Sequence, residues 1–270
     1  MAAPARVLAI GGSDSGAGAG VQADIKTVAA LGGYATTAVT AVTAQDTHRV
    51  HAVLAVPPAL VARQVALVLD DIGADAVKTG MLGDAATVAA VCDVLAAHAA
   101  VPVVVDPVLR ATGGGPPLLE DDALETFRRR LVPLARVITP NLAEAAALTG
   151  LRVHTLDGMH MAARALLAMG ASAVLVTGGH LEGDTVTDLL VSAADLVTFS
   201  AARIDTRHTH GTGCTLASAI ATGLAQGMGV CDAVERARGY VRAAIATAPG
   251  LGGGHGPLNH AAQPAPRGGD

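Results

Sequence analysis

Residues 7–31 read as a strand, a glycine-rich loop and a helix: VLAI (7–10), GGSDSGAGAG (11–20) and VQADIKTVAAL (21–31). Four consecutive apolar residues are typical of a strand that is buried on both faces, as in a parallel sheet. A helix after such a strand returns the chain to the start of the next parallel strand. This stretch therefore predicts an α/β fold.

The rest of the chain repeats this alternation. Strands are predicted near 36–42, 75–78, 102–106, 137–139 and 173–176, and helices near 58–71, 85–98, 141–149, 159–169, 213–226 and 230–246. Two further β-rich runs, 185–191 and 196–200, are joined by four residues and predict an antiparallel hairpin at a sheet edge. We expect one domain over residues 1–260, with a mostly parallel sheet covered by helices on both faces, and a disordered tail over residues 261–270.

The composition argues against several classes of function. Aromatic residues make up 1% of the chain and the formal net charge is -5, so we expect no nucleic-acid partner. No apolar run reaches the roughly 18 residues that suggest a membrane-spanning helix, so we expect no membrane partner. Cysteines 92, 214 and 231 lack metal-ligand spacing, which suggests reduced thiols in a cytoplasmic protein.

The segment THGTGCT (209–215) precedes the apolar helical pattern LASAIATGL (216–224). A helix that begins there directs unpaired backbone N–H groups, with the positive end of its dipole, at whatever lies in front. Gly211 and Gly213 would let an anion approach that backbone closely, and Cys214 adds a thiol to the same turn. A glycine-rich helix cap with a buried cysteine is the alternative interpretation.

Other polar residues follow predicted strands, whose carboxyl ends meet at one edge of a parallel sheet. The loop 11–20 superficially looks like a dinucleotide fingerprint, but no acid stands at the end of the next strand, so a tight loop touching a small ligand fits better. Gln45 could offer both a donor and an acceptor to a heteroaromatic ring, or it could simply cap a turn. Met81 could line the wall of a planar ligand or fill the core.

Acidic and amide side chains follow two more strands. Asp106 directly ends a strand, a position that commonly carries function in such sheets. Asn141 and Glu144 would share one face of a helix start, where they could hold a hydrated Mg²⁺ beside phosphates. They could equally form a capping box, with Asn141 capping the helix and Glu144 reaching back.

Taken together, these motifs resemble the ribokinase-like superfamily, and most closely its hydroxymethylpyrimidine/phosphomethylpyrimidine kinase branch. The matching segments, in order, are GSDSG (12–16), QAD (22–24), TAQDT (43–47), KTGML (78–82), VDPV (105–108), TPN (139–141), EA (144–145), GGH (178–180), THGTGCT (209–215) and GHGPLNH (254–260). The resemblance implies a ribokinase-like three-layer α/β/α sandwich. It also implies ATP-dependent phosphorylation of 4-amino-5-hydroxymethyl-2-methylpyrimidine, and then of its monophosphate, in thiamine biosynthesis.

The resemblance also implies roles for particular residues. Gln45 corresponds to the residue that contacts the pyrimidine ring, in a pocket formed by Gly12, Ala19, Met81 and Val108. The anion hole corresponds to Gly211, Thr212 and Gly213, and Cys214 stands where many superfamily members carry an aspartate base. ATP and Mg²⁺ would lie beside Asp106, Asn141, Glu144 and Thr177, with Asn141 and Glu144 nearest the metal. Asp24 matches an acid of unassigned role, and the family implies a homodimer.

This chain departs from the family pattern at several positions: Ala17 replaces a glycine, Asp46 an asparagine, Thr177 a lysine and His208 an asparagine. The missing lysine bears on phosphate affinity and on the second phosphorylation. Two alternatives follow. A pyridoxal/pyridoxine kinase would act on a similar planar ring with a hydroxymethyl arm, and a non-catalytic pyrimidine-binding protein would keep only the fold and the pocket.

Overall fold

A computed structural model describes residues 3–109 and 123–262 of the chain. The strands are β1 (Arg6–Asp14), β2 (Tyr34–Gln45), β3 (Val50–Ala55), β4 (Ala76–Thr79), β5 (Val103–Val105), β6 (Ala135–Ile138), β7 (Ala173–Val176), β8 (Thr185–Ser192) and β9 (Leu196–Ala202). The α-helices are α1 (Gly20–Ala30), α2 (Pro58–Asp71), α3 (Ala85–Ala97), α4 (Ala123–Thr126), α5 (Leu142–Thr149), α6 (Leu156–Ala168), α7 (Thr212–Ala225) and α8 (Val230–Ala246). The predicted tail at 261–270 lies outside the described residues from 263 onward.

The nine strands described form one sheet in the order β3-β2-β1-β4-β5-β6-β7-β8-β9. Strands β2, β1, β4, β5, β6 and β7 run parallel, whereas β3, β8 and β9 each join an antiparallel neighbour. The predicted mostly parallel sheet and the predicted edge hairpin, β8–β9, are therefore confirmed.

Helices cover both faces of the sheet, as predicted. Val103 and Val105 of β5 pack into a core beneath α2 to α6, while Val104 between them packs beneath α1, α7 and α8. This alternation follows from the two-residue period of a strand. Because both faces are buried, the strands read as continuous apolar runs, and the result is a three-layer α/β/α sandwich.

Two elements differ from the sequence-based expectation. The edge strand β3 was not predicted, because most of its side chains are exposed and it lacks a buried face that would leave a hydrophobic pattern. It forms through antiparallel pairing with the end of β2, between Ala41–Gln45 and Val50–Ala55. Helix α6 begins at Leu156, three residues before the predicted start, because the Thr155 side chain caps it by accepting from the Gly158 N–H.

The parallel strands carry the candidate residues to one edge of the sheet. Asp14 ends β1, Gln45 ends β2 and Asp106 follows β5. Asn141, after β6, forms a β-bridge with Thr177, after β7. The predicted convergence at the carboxyl ends is therefore present in the fold.

Candidate active site

The THGTGCT segment forms the N-terminus of α7 at this edge. Gly211 caps the helix with φ 84° and ψ 8°, and a Cβ there would lie 1.8 Å from the carbonyl oxygen of Gly18. Thr212 Oγ1 donates to the carbonyl of Thr209 at 2.6 Å, which holds the turn. A Cβ on exposed Gly213 would meet only the Asp106 carboxylate, 3.6 Å from Oδ1. The helix N-terminus therefore opens towards Asp106 and has the geometry of an anion site.

Asp14 holds the glycine-rich loop in place. Its carboxylate accepts the backbone N–H groups of Gly16 at 2.7 Å, Gly18 at 3.0 Å and Ala19 at 2.8 Å. Desolvation alone would raise the pKa of Asp14, but the hydrogen bonds from His210 and from the loop backbone lower it below its usual value. Asp14 is therefore a buried carboxylate that fixes the loop by accepting hydrogen bonds from its backbone.

A second contact of Asp14 joins three loops. His210 Nε2 lies 3.0 Å from Asp14 Oδ2 and 3.0 Å from the side-chain nitrogen of Gln45. The glycine at 18 allows this approach, since a Cβ there would lie 2.5 Å from the His210 ring. No local sequence pattern predicts a role for Asp14 or His210, because their contact joins residues 196 positions apart in sequence.

Met81 and Gly12 lie together where the pocket was predicted. A Cβ on Gly12 would be 3.0 Å from Met81 Cε, and Met81 is held by a hydrogen bond from Thr40 Oγ1 to its carbonyl. Ala19 is the N-cap residue of α1, and the backbone N–H of Val108 bonds back to the Asp106 carbonyl. Gly12 thus lies near the carboxyl end of β1, and Ala19, Met81 and Val108 follow the ends of β1, β4 and β5.

The turn Gly211–Cys214 at the start of α7 is called the anion turn. A buried ionic network lies beneath it. Lys78 Nζ, on β4, contacts both carboxylate oxygens of Asp24 at 2.9 and 3.0 Å, and Ser218 Oγ of α7 donates to Asp24 at 2.7 Å. Asp106 Oδ2 lies 3.9 Å from the same ammonium. Burial alone would lower the pKa of Lys78, but the carboxylates of Asp24 and Asp106 raise it, so the lysine is charged.

This network assigns Asp24 a place that its sequence left open. Its side chain is completely buried, with Lys78 and Ser218 as partners from other elements. The sequence motifs include Lys78 but predict no role for it. An ionisable residue inside an otherwise apolar strand is the sequence signal that would have singled it out, since a lysine is almost never fully buried unless paired.

Cys214 faces this network from the first turn of α7. Its thiol lies close enough to the Asp106 carboxylate and to the backbone N–H of Gly20 for both to act on its pKa. Desolvation, together with the charges of Asp106 and Asp24, raises the pKa of the thiol to about 12 despite the nearby lysine. Cys214 is therefore a protonated thiol near neutral pH in the free protein, because burial outweighs the helix dipole.

Asp106 has a carboxylate oxygen that accepts no hydrogen bond from the residues that the structure describes. Burial raises its pKa to about 6, although Lys78 acts in the opposite direction. Its Oδ2 atom is buried and has no hydrogen-bond partner within the described part of the chain. The Lys78 ammonium lies 3.9 Å from this oxygen but makes no hydrogen bond to it, so the oxygen can still accept a donor or a further cation.

Asn141 and Glu144 form the capping box. Asn141 Oδ1 accepts from the Glu144 N–H at 3.0 Å, and Glu144 Oε2 accepts from the Asn141 N–H at 2.9 Å. Burial, and then the charge of Asp106, raise the pKa of Glu144 to about 8. The Thr177 N–H bonds to the carbonyl of Pro140, which brings Thr177 beside this cap. The capping interpretation is confirmed, and Glu144 lies close enough to Asp106 for the Asp106 charge to act on it.

Two departures from the family pattern have structural consequences. Asp46 accepts hydrogen bonds from the backbone N–H groups of His48 and Arg49 and pairs with His51 at 2.8 Å, so its charge is used within its own loop. These bonds lower the pKa of Asp46 below its usual range. Ala17 takes a left-handed conformation with φ 56°, which a glycine would adopt without strain.

The terminal signature at 254–260 packs against two loops of the site. The His255 N–H bonds to the carbonyl of Thr47, and the His210 N–H bonds to that of Gly256. Near its end, the His260 ring contacts the hydroxyl of Thr215 at 3.1 Å in the buried first turns of α7. This segment therefore ties the loop after β2 to the anion turn.

Comparison with known proteins agrees with this architecture. The phosphomethylpyrimidine kinase family profile matches residues 14–259. The hydroxymethylpyrimidine/phosphomethylpyrimidine kinase of Streptomyces coelicolor is 50% identical over 257 residues, covering 95% of this chain and 94% of that protein. The thiamine biosynthesis bifunctional protein ThiED of Geobacter sulfurreducens is 48% identical over 94% of this chain, which spans only 52% of that longer protein.

A solved structure shares the fold. The pyridoxal kinase of Bacillus subtilis, in an ADP complex, superposes with a TM-score of 0.89 at 35% identity, covering 96% of this chain and 98% of that one. The sandwich is therefore ribokinase-like, as the motifs implied. Since the family profile covers nearly the whole chain, the protein belongs to the phosphomethylpyrimidine kinase family.

Proposed function

We propose that the protein transfers the γ-phosphoryl group of ATP to the hydroxymethyl group of 4-amino-5-hydroxymethyl-2-methylpyrimidine, and then to the resulting monophosphate, in thiamine biosynthesis. The observation that carries this proposal is the open N-terminus of α7, Gly211 to Cys214, facing Asp106 at the edge where Gln45 and Met81 also lie. Relatives named for these two reactions are about half identical over nearly their whole length.

The anion turn supplies what phosphoryl transfer requires. The reaction passes through a loose transition state, so the protein mainly aligns the reactants and neutralises charge. Backbone N–H groups of Gly211, Thr212 and Gly213 would stabilise the transferring group without reorganising at the moment of reaction. The left-handed Gly211 supports this role, because it sets the turn that exposes those amides.

Cys214 would orient the substrate hydroxyl. With a pKa of about 12, its thiol is not a ready base near neutral pH. A loose transition state needs little proton abstraction before the phosphoryl group moves, so a hydrogen-bonding thiol is sufficient. Cys214→Ser, which keeps a hydrogen-bonding group, is expected to retain more turnover than Cys214→Ala; equal turnover of the two variants and the wild type would exclude this role.

Mg²⁺ fits beside Glu144 and Asp106. Both carboxyl groups are buried, the Asp106 charge raises the pKa of Glu144, and Asp106 Oδ2 has no hydrogen bond in the described part of the chain. This pair suits a hard divalent cation that keeps several waters. In the described ranges no group of three or more His, Cys, Asp or Glu side chains could hold a metal by itself, so the phosphates of ATP would complete the coordination. Bound there, the ion supplies charge neutralisation at the phosphates, and Asn141 holds Glu144 in position.

The threonine at 177 bears on the second phosphorylation. A lysine at this position, next to the Asn141 cap, would add a cation close to phosphates, and the chain has none there.

The deciding experiment incubates the protein with ATP, Mg²⁺ and the pyrimidine and separates mono- from diphosphate by chromatography. Both products are expected. If only the monophosphate forms, the second step is lost, and Thr177→Lys is then expected to restore it.

The same assay separates the alternatives. Pyridoxal is supplied in parallel, because a pyridoxal kinase has the same fold and was solved with ADP bound. Turnover of pyridoxal without turnover of the pyrimidine would replace the proposal with pyridoxal kinase activity. Binding of the pyrimidine without any product would indicate the non-catalytic protein.

We also propose a cytoplasmic homodimer. Val42 of β2 and Val53 and Leu54 of β3 are between 46% and 73% exposed at the first edge of the sheet, where an unpaired strand invites association. Leu54→Asp is expected to shift the mass measured by light scattering towards the monomer. The matched control is Leu196→Asp at the opposite edge, which should leave the mass unchanged.

In the part of the chain described, no helix has the length and apolarity to cross a membrane.

A further inference from the structure

Three side chains from separate loops meet at one ring nitrogen. His210 Nε2, in the turn before α7, lies 3.0 Å from Asp14 Oδ2 at the end of β1 and 3.0 Å from the amide of Gln45 at the end of β2. The side chains of Asp14 and His210 are only 3% and 15% exposed. The hydrogen-bond roles in this cluster are therefore set by protein groups rather than by solvent.

Asp14 determines where the imidazole proton is. The carboxylate accepts three backbone N–H groups in addition to His210, so it is ionised and can only accept hydrogen bonds. A lone pair on His210 Nε2 would face that negative oxygen at 3.0 Å and be repelled. His210 Nε2 therefore carries a hydrogen, which it directs at the Asp14 carboxylate.

The proton on His210 then constrains Gln45. With the amide nitrogen of Gln45 facing Nε2, two donors would oppose each other at 3.0 Å. Rotation of the amide by 180° places Oε1 there instead, where it shares the His210 hydrogen with Asp14. The two amide orientations occupy nearly the same space, so the hydrogen bond decides between them.

We propose that Asp14 and His210 set the polarity of the Gln45 amide, so that Oε1 faces His210 and the NH₂ group faces the substrate. Gln45 then donates to an unprotonated nitrogen of a heteroaromatic ring, and His210 is a specificity-determining positioning residue. This inference rests on the ring contact of Gln45 in the proposed function.

The Gln45 backbone and the His210 ring are both held in place beside this cluster. Ser15 Oγ accepts from the Gln45 N–H and donates to the Gln45 carbonyl, each at 2.9 Å. The His210 ring is clamped against the glycine loop, where Gly18 has no side chain to displace it. The orientation of the Gln45 amide therefore depends on its contact with His210 Nε2.

The test compares kcat/KM for the hydroxymethylpyrimidine with that for two analogues, each with one ring nitrogen replaced by C–H. The wild type is expected to lose about tenfold on one analogue, the size of one hydrogen bond. His210→Leu removes the donor and should reduce this ratio to about twofold, since the amide can then turn. His210→Gln restores a donor and should preserve the ratio, whereas Gln45→Glu, which only accepts, should abolish it.

A ratio of two substrates cancels any uniform loss of turnover from disturbing the anion turn, and calorimetric dissociation constants supply the ratio if a variant is inactive. A full wild-type ratio in a folded His210→Leu protein would overturn the role of His210 while leaving the ring contact of Gln45 intact. Absence of any ratio in the wild type would instead overturn the ring contact itself, and with it this inference.

Discussion

Ala17 is strained by its backbone conformation. Among the residues that the structure describes, it is the sole non-glycine residue with a positive φ, 56°. Replacing Ala17 with Gly is expected to stabilise the fold by about 0.5–1 kcal/mol, because a left-handed L-residue is unfavourable by more than the entropy that glycine adds to the unfolded chain. Urea denaturation measures the change.

The control for this substitution is Ala66→Gly at the centre of α2, where the backbone is helical. There the same change should destabilise by about 1 kcal/mol. If Ala17→Gly destabilises the protein as Ala66→Gly does, the loop does not hold residue 17 in the left-handed region.

Cys214 should react slowly with alkylating agents. The pKa of its thiol is about 12, against 9.0 for an unperturbed cysteine, so the thiolate fraction near neutral pH is roughly a thousandfold smaller. In a Cys231→Ser background, iodoacetamide labelling of Cys214, followed by peptide mass spectrometry, should accelerate steadily from pH 7 to pH 10 without a plateau. A plateau below pH 9 would show that the helix dipole outweighs burial.

At the scale of elements, the two glycines of the anion turn differ in how closely they are packed: Gly211 is buried and Gly213 is exposed. Gly211→Ala would place a Cβ 1.8 Å from the Gly18 carbonyl at φ 84°, so it should lower the melting temperature as well as the turnover. Gly213→Ala meets nothing closer than 3.6 Å, so its melting temperature should match the wild type. Its turnover should still fall, because the methyl group would occupy the space in front of the helix amides.

Thermal denaturation and the kinase assay together distinguish the two effects. A Gly211→Ala protein with an unchanged melting temperature would mean that the turn can rearrange around the new side chain. Unchanged turnover in Gly213→Ala would place the phosphates away from the first turn of α7.

Sequence patterns predicted the elements well where burial or capping determines them. The strand at 173–176 and helix α8 were expected with the bounds that the structure has, since apolar runs and a long amphipathic period specify them. The capping box of Asn141 and Glu144 was one of two open interpretations of a local pattern. Edge strand β3 was missed because it is specified by its partner strand and not by its own hydrophobicity.

At the scale of the whole molecule, the Lys78 network joins the sheet to helices α1 and α7 of one layer. Asp24 on α1 is buried and accepts hydrogen bonds from the buried side chains of Lys78 on β4 and Ser218 on α7. Lys78→Met would leave the Asp24 carboxylate buried without a counterion, so we expect a loss of about 3–5 kcal/mol in unfolding free energy. Chemical denaturation at pH 7 measures it.

Two variants interpret that loss. Lys78→Met combined with Asp24→Asn removes both charges and should be less destabilised than Lys78→Met alone. Asp93→Asn breaks an exposed pair with Arg130 and should cost no more than about 1 kcal/mol. A Lys78→Met protein as stable as the Asp93→Asn protein would mean that Asp24 is neutral in the fold.

The sequence by itself determined the layer architecture, the mostly parallel direction of the apolar strands and the set of loops that reach one edge. Those properties follow from periods of burial and from glycine and capping chemistry, which act over a few residues. Only the tertiary structure decided what these residues do to one another. Asp14 contacts His210, Asp24 pairs with Lys78, and the raised pKa of Cys214 keeps its thiol protonated. Each of these states depends on charges and burial contributed by parts of the chain that are distant in sequence.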